Sequence, residues 1–262
     1  MPRALGARSR GAFGFETSYG TPPASGFVRV PYAPGLTLGA SQPLIENELL
    51  GFGRDPLAPV KDAVTADGDV VVPIDVETFG YWLKAAFGDP STTGTAPGPF
   101  THEFQTGLWD IPSFSFEKAL PEIPHYAMIS GCRVDQLSWQ MQRSGLVTAT
   151  VGVIAQGETV ATTSQAGTLA EPTIKRFGAF NGSISREGSP LGNVVSAEIT
   201  YANGVERIET IRSDGKIDGA DPGIAALTGQ IVVRFADSTL LDQAINGTPA
   251  EMAFGYALPT GE

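Results

Sequence analysis

Residues 110–156 constrain this chain of 262 residues more than any other part of it. Leu137, Trp139 and Met141 alternate with Gln136, Ser138, Gln140 and Gln142, the period of two that gives a strand one apolar and one hydrated face. Ser144-Gly145 marks a turn. Residues 146–155, rich in Val and Thr, alternate again, with Val147, Ala149, Val151 and Val153 on one face and Thr148, Thr150 and Gly152 on the other. The two runs predict a long antiparallel hairpin, and Ser113-Phe114-Ser115-Phe116-Glu117 adds a third strand. The sheet reads as an assembly surface, not an active site.

Around this hairpin the chain is punctuated throughout, with 32 Gly and 20 Pro. Residues 1–12 read as a flexible basic arm, and residues 13–21 as a short edge strand stopped by Pro22-Pro23. Residues 31–73 fit a strand pair near Leu44 to Leu50 with an extended loop from 55 to 69. A helix is predicted over 75–87, capped by Asp75, carrying a stripe of Val76, Phe79, Leu83 and Ala86 or Phe87 toward the sheet, and stopped by Gly88 and Pro90. Residues 91–99 and 158–172 read as loops, the second long and exposed. Strands are expected at 177–185, 194–202 and 205–212, with Asn203-Gly204 as the hairpin turn between the last two, and at 230–235. Ser238 is expected to cap a short helix bearing Leu240, Leu241, Ala244 and Ile245, followed by a closing strand with Met252, Phe254, Tyr256 and Leu258. With no fixed-period repeat, the pattern predicts one mainly β domain over 1–262. It is an antiparallel β-sandwich or barrel with one or two flanking helices, and residues 31–70 and 158–172 are its candidate long loops.

Chemistry is hard to find in it. The formal net charge is −11, from 28 Asp and Glu against 17 Lys and Arg, which argues against nucleic-acid binding because that affinity comes largely from cationic side chains. The single cysteine, Cys132, lies in an apolar stretch and reads as a buried thiol. Residues 1–12 lack an apolar stretch behind their arginines, so neither a signal peptide nor a membrane span is expected, and the protein is expected to be soluble where it is made. His102-Glu103 lacks the second histidine of a metalloprotease helix, Thr106 standing in its place, and His125 follows a proline. No Gly-x-Ser-x-Gly elbow occurs. The Asp214 to Asp221 run has Lys216 and Ala225 where a calcium loop needs oxygen donors, so it reads as a solvated turn. Gly51-Phe52-Gly53 has Pro56 at the third glycine position of a dinucleotide loop and reads as turn chemistry. The pairs Glu46 with Glu48 and Asp67 with Asp69 read as acidic patches, and Trp82, Trp109 and Trp139 as core packing. No catalytic residue, cofactor or metal site is assigned.

One family accommodates the order of these pieces. The segments are Gly14-Phe15-Glu16-Thr17-Ser18-Tyr19-Gly20-Thr21, the helix end Trp82-Leu83-Lys84-Ala85-Ala86-Phe87-Gly88, and Thr101-His102-Glu103-Phe104 leading into Ile111-Pro112-Ser113-Phe114-Ser115-Phe116-Glu117. They continue through Gly131-Cys132-Arg133-Val134-Asp135-Gln136-Leu137-Ser138-Trp139 to Thr228-Gly229-Gln230-Ile231-Val232-Val233-Arg234-Phe235-Ala236-Asp237-Ser238-Thr239-Leu240. In that order the chain resembles the tail tube (major tail) proteins of long, non-contractile-tailed bacteriophages and of related tail-like particles such as gene transfer agents. It ends soon after its last strand, without the immunoglobulin-like domain that some members carry. The resemblance implies a virion protein made in the host bacterial cytoplasm, six copies of which form a ring whose inner strands join into one barrel. Rings stack through loops and the N-terminal arm into a hollow tube around a tape-measure protein, between a tail terminator and distal tail proteins. DNA passes through the lumen without specific binding, and no membrane is involved. On this reading Gln136, Ser138, Gln140 and Gln142 face the lumen, and residues 31–70 or 158–172 make the ring-to-ring contact. The alternative is a monomeric β-sandwich binding or adhesin module, or another virion protein such as a tail terminator, tip component or decoration protein. An enzyme ranks last.

Overall fold

The computed structural model describes residues 3–51, 53–236 and 238–258. After a 3-10 turn at Gly6–Arg8, the chain forms β1 (Arg10–Phe15), β2 (Val28–Val30), β3 (Gly39–Ser41), β4 (Leu44–Asn47), β5 (Leu57–Lys61) and β6 (Thr65–Pro73). The helix α1 (Phe79–Phe87) is followed by β7 (Ser91–Gly94), β8 (Phe100–Glu103), β9 (Phe114–Leu120), β10 (His125–Met141), β11 (Thr148–Ala155) and β12 (Gly157–Ala161). The remainder comprises β13 (Gly182–Arg186), β14 (Ser189–Pro190), β15 (Val194–Ala202), β16 (Glu206–Ile208), β17 (Gly219–Asp221), β18 (Ala226–Val233), the helix α2 (Thr239–Asn246) and β19 (Met252–Tyr256).

Strand β10 belongs to two sheets at once. Its first half lies between β9 and β12 in a sheet continued by β1 and β2. Its second half lies between β11 and β15 in a sheet that runs β3-β6-β11-β10-β15-β18. All these pairings are antiparallel. The strand turns from one sheet to the other at Gly131, which has φ 65 and register shifts on either side. A Cβ there would stand 2.7 Å from Cβ of Gln156, closer than side-chain carbons approach, so this bend needs glycine. The Glu16 carboxylate fastens the same place: it accepts from Gly131 N (2.8 Å), Ser115 Oγ (2.6 Å) and Gly20 N (2.8 Å).

The core lies between the two sheets and α1. Phe13 stacks on Phe114 with ring centroids 4.5 Å apart, and Trp82 meets both edge-on at 5.2 and 5.8 Å. Leu137, Val151, Val70 and Val72 fill it from the second sheet. Leu137 faces Val151 and Trp139 faces Ala149 across β10 and β11, the hairpin that the alternation predicts.

Helix α1 starts at Phe79, four residues later than expected. Asp75 is buried and its carboxylate accepts from the backbone of Glu77 and Thr78, so it organises the turn before the helix. The buried stripe centres on Trp82, Ala85 and Ala86, while Val76, outside the helix, is exposed. Gly88, with φ 92, stops the helix.

Elsewhere the strands differ from the expected boundaries. Of residues 91–99, read as a loop, 91–94 form β7, which pairs with β8, and 95–99 are the turn between them. Of the expected arm, residues 1 and 2 lie outside the described residues; Leu5 N and Arg8 bond to Glu122, and β1 begins at Arg10. Within 31–70, β4 lies where a strand is expected, but its partner β5 and the first part of β6 occupy the stretch 55–69 read as an extended loop, and β3 adds a short strand before them. In 158–172, β12 takes the first residues through Ala161. Asn203-Gly204 is not a hairpin turn. Strand β15 is already held between β10 and β18, so β16 pairs with β17 instead. The segment 177–185 begins with a bridge and a 3-10 turn before β13. The Gly51-Phe52-Gly53 turn includes Phe52, which lies outside the described residues.

Candidate assembly surfaces

The outward face of the second sheet is polar across four adjacent strands. Leu137, Ile199 and Tyr201 point inward, leaving Gln136, Ser138 and Gln140 of β10 outward, with Gln142 just beyond the strand end. Register aligns hydroxyls in one row: Thr228 of β18 faces Thr200 of β15, which faces Ser138 of β10, which faces Thr150 of β11. The row beside it runs Gln230, Glu198, Gln140; the row on the other side runs Ala202, Gln136, Gly152, Asp69. Side chains in these rows are neutral or acidic, and none is Lys or Arg. Gln142 Nε2 donates to Gln140 Oε1 at 2.8 Å, holding the two amides together. The structure therefore brings the four residues singled out from sequence onto one exposed or half-exposed face.

This sheet has an open edge at β18. Among the described residues the strand pairs only with β15, and all of it is exposed except Ile231 and Val233, which are half-buried. Unpaired strand edges template association with another chain. Helix α2 lies next to it in sequence with no residue buried, and it leaves Leu241 and Ile245 in solvent. Its Gln243 side chain reaches Glu187 at 3.5 Å, while the apolar Leu241 and Ile245 stay exposed.

On the first sheet the outward face is covered. Ser115 and Glu117, expected on a hydrated face, are buried, Glu117 to 2% exposure. The Glu117 carboxylate accepts from Ser164 Oγ (2.6 Å), Gln165 N (2.7 Å) and Ala166 N (3.3 Å). Ala166 and Leu169 pack on Ala12, Phe27 and Met128, and Arg29 pairs with Glu171. Residues 162–171 thus form a strap tied to the sheet by one buried carboxylate. In sequence the signal was visible only as an acidic residue at an alternating position.

The groups that ordinarily carry chemistry are dispersed or spoken for. His102 bonds Thr92 at 2.8 Å within the β7–β8 hairpin, whereas His125 opens β10. Arg212 spans Asp214 and Asp218 at 2.7 to 3.0 Å. Its hydrogen bonds hold the Asp214 carboxyl well below the usual carboxylate range, so the acidic run is an internally neutralised turn. Cys132 is fully buried, and burial pushes its thiol up. Among the described residues no group of three His, Cys, Asp or Glu side chains is placed to hold a metal ion. Trp82 is core and Trp139 packs against it, but Trp109 is a correction: it is 98% exposed. It lies in the connection from β8 to β9, where neighbouring Asp110 pairs with Arg133 and the indole packs on neither sheet.

Residues 6–262 match the family described as phage tail tube protein. The chain belongs to that family. This tail tube chain is accordingly a structural component of a virion tail, and its β-rich, antiparallel architecture is what the resemblance in its sequence implies. No curated protein matches the chain individually. Among the described residues no helix is long and apolar enough to cross a membrane. Membership of this family implies assembly with copies of the chain and with other tail proteins.

Proposed function

We propose that the chain assembles as hexameric rings stacked into the hollow tail tube that conducts DNA, each chain of 1–262 acting as one subunit. Gln136, Ser138, Gln140 and Gln142 line the lumen. The observation that carries this reading is the outward face of the second sheet, where the rows through Gln136, Ser138 and Gln140 present hydroxyls, amides and the Glu198 and Asp69 carboxylates with no Lys or Arg among them, Arg143 standing at the rim beside Gln142. A phosphate backbone passing such a face meets water and like charge, with nothing to release counterions onto. The edge of β18 is covered by the neighbouring copy through a heterologous contact that closes into a ring. Assembly takes place in the host bacterial cytoplasm around a tape-measure protein, between a terminator and the distal tail proteins.

The test uses purified, untagged chain at high concentration and moderate salt, where repulsion between acidic subunits is screened. Negative-stain electron microscopy is expected to show long hollow tubes. Single rings point to a terminator, and persistent monomers to a binding module. In tubes built from Gln140→Cys chains, a bulky maleimide added outside is expected to leave the new thiol unlabelled. Buried Cys132 gives no background. Labelling of Gln140→Cys from outside an intact tube refutes the lumen assignment.

A further inference from the structure

The second sheet carries complementary features at its two ends. At the Met141 end, between β10, β15 and β13, lies an open groove of about 620 Å³. Its apolar lining includes Met141, Phe180, Ile184, Leu191 and Val195, of which Phe180 is 80% exposed. Arg143 and Arg234 also line it. Neither has a carboxylate within ion-pair distance among the described residues, so both guanidinium groups are available to an outside carboxylate.

At the other end, β6 enters the sheet at Thr65, beside Ala155, whereas its Pro73 end lies beside Thr148. The β4–β5 hairpin immediately precedes Thr65, so it leaves the sheet at the end opposite the groove. Its strands pair only with each other. It exposes Leu44, Ile45, Leu49, Val60 and, at 94%, Leu50. Glu46 and Glu48 alternate among these residues, exposed and without a cationic partner among the described residues.

An apolar hairpin carrying free carboxylates at one end and an apolar groove with free guanidinium groups at the other cannot meet within one copy. They can meet between copies related by translation along the strands. We infer that the β4–β5 hairpin of one chain seats in the groove of a second copy, Leu49 and Leu50 against Val195, Leu191 and Phe180, with Glu46 and Glu48 toward Arg143 and Arg234. The contact is heterologous and does not close, the geometry that propagates a filament. It rests on the tube reading for its direction, and it assigns the ring-to-ring contact to this hairpin, not to the strap at 162–171. The apolar residues supply the burial; the charges fix register and reject wrong partners.

Two experiments on the full chain test it. In the first, a mixture of Leu50→Cys and Val195→Cys chains is treated with a short bismaleimide at assembly concentration. Cross-linked dimers are expected in the mixture and absent from either chain alone; their absence from the mixture overturns the contact. A mixture that cross-links while forming neither rings nor tubes keeps the contact and sinks the tube reading. In the second, Glu46→Arg/Glu48→Arg and Arg143→Glu/Arg234→Glu are made separately and together, with circular dichroism to verify folding. Each reversal is expected to lower the pelletable tube fraction at least tenfold while leaving single rings, and the combination to restore tubes. Tubes formed by both separate reversals, loss of rings along with tubes, or a folded combination that stays unassembled each overturn the proposal.

Discussion

Asn203 offers the most demanding test of how the two sheets and α1 are joined. The side chain is 4% exposed, and its Nδ2 donates to Ala86 O at 3.0 Å and to Val134 O at 2.9 Å. Ala86 O is one of the last four carbonyls of α1, which no intrahelical N–H can reach; Val134 O lies at the irregular step of β10. One amide thus uses both its protons to tie the helix end to the shared strand. Asn203→Ala removes two hydrogen bonds worth ~1 kcal/mol each and leaves carbonyls short of a donor, so a loss of about 2 to 4 kcal/mol is expected. Asn203→Asp is expected to be worse at pH 7, because a carboxylate oxygen then faces two carbonyl oxygens in a dry site. The introduced carboxyl has its folded-state pKa raised above the unfolded value of ~3.9. Its contribution is therefore present below that value and lost as pH rises through the folded pKa, so the deficit relative to Asn203→Ala shrinks between pH 7 and pH 4. Urea unfolding of the unassembled chain, followed by far-ultraviolet circular dichroism at both pH values, gives the two differences. A cost below ~0.5 kcal/mol for Asn203→Ala, or equal stability of the two variants at pH 7, refutes the argument.

Two further expectations follow from geometry already described. Trp82→Ala empties the space beside the stacked Phe13 and Phe114 rings, which the indole meets edge-on, and should cost ~3 to 5 kcal/mol in the same unfolding assay; a cost near 1 kcal/mol would mean that the core collapses around α1. Arg212→Ala should return the Asp214 carboxyl to the ordinary carboxylate range in an NMR pH titration. Because the folded value is depressed, Asp214 stabilises the fold above its unfolded pKa and loses that contribution as pH falls through the folded value. A titration unchanged by the substitution excludes Arg212 as the cause.

Much of the second sheet was legible from sequence, because β10 and β11 bury one face and wet the other and local period reports that directly. Strand β15 runs over the residues its pattern predicts, 194–202, and Gly88 stops α1 where expected. Misreadings arose where a distant partner overrode a local signal. Asn203-Gly204 has hairpin chemistry, yet both edges of β15 are taken by β10 and β18, and the Asn203 amide serves α1 and β10 instead. Ser115 and Glu117 alternate like an exposed face, but the strap that holds Glu117 comes from residues some 50 positions away, and Ser115 bonds Glu16 from the start of the chain. Trp109 was read as core from residue type, and no period places that connection on a sheet. The polar face behind the lumen proposal was legible because it is local in sequence; the groove was not, since β10, β13 and β15 meet there only in the fold.

The division of β10 between two sheets also has a consequence for how the chain is made. Strand β1 has a local partner in β2, but its other edge must wait for β9, about a hundred residues downstream, as Gly11 opposite Lys118 illustrates. At ~5 to 20 residues per second of synthesis, the N-terminal third is on the ribosome for roughly 5 to 20 seconds before its first long-range partner exists. During that interval the edge of β1 that β9 will cover has no long-range partner in its own chain and is open to other nascent chains. The composition of this stretch suits the wait: between Phe15 and β6 lie seven prolines, which cannot donate to a ladder and so interrupt premature pairing. The residues that make this part of the chain hard to read as regular structure also keep neighbouring chains apart on a polysome until β10 emerges.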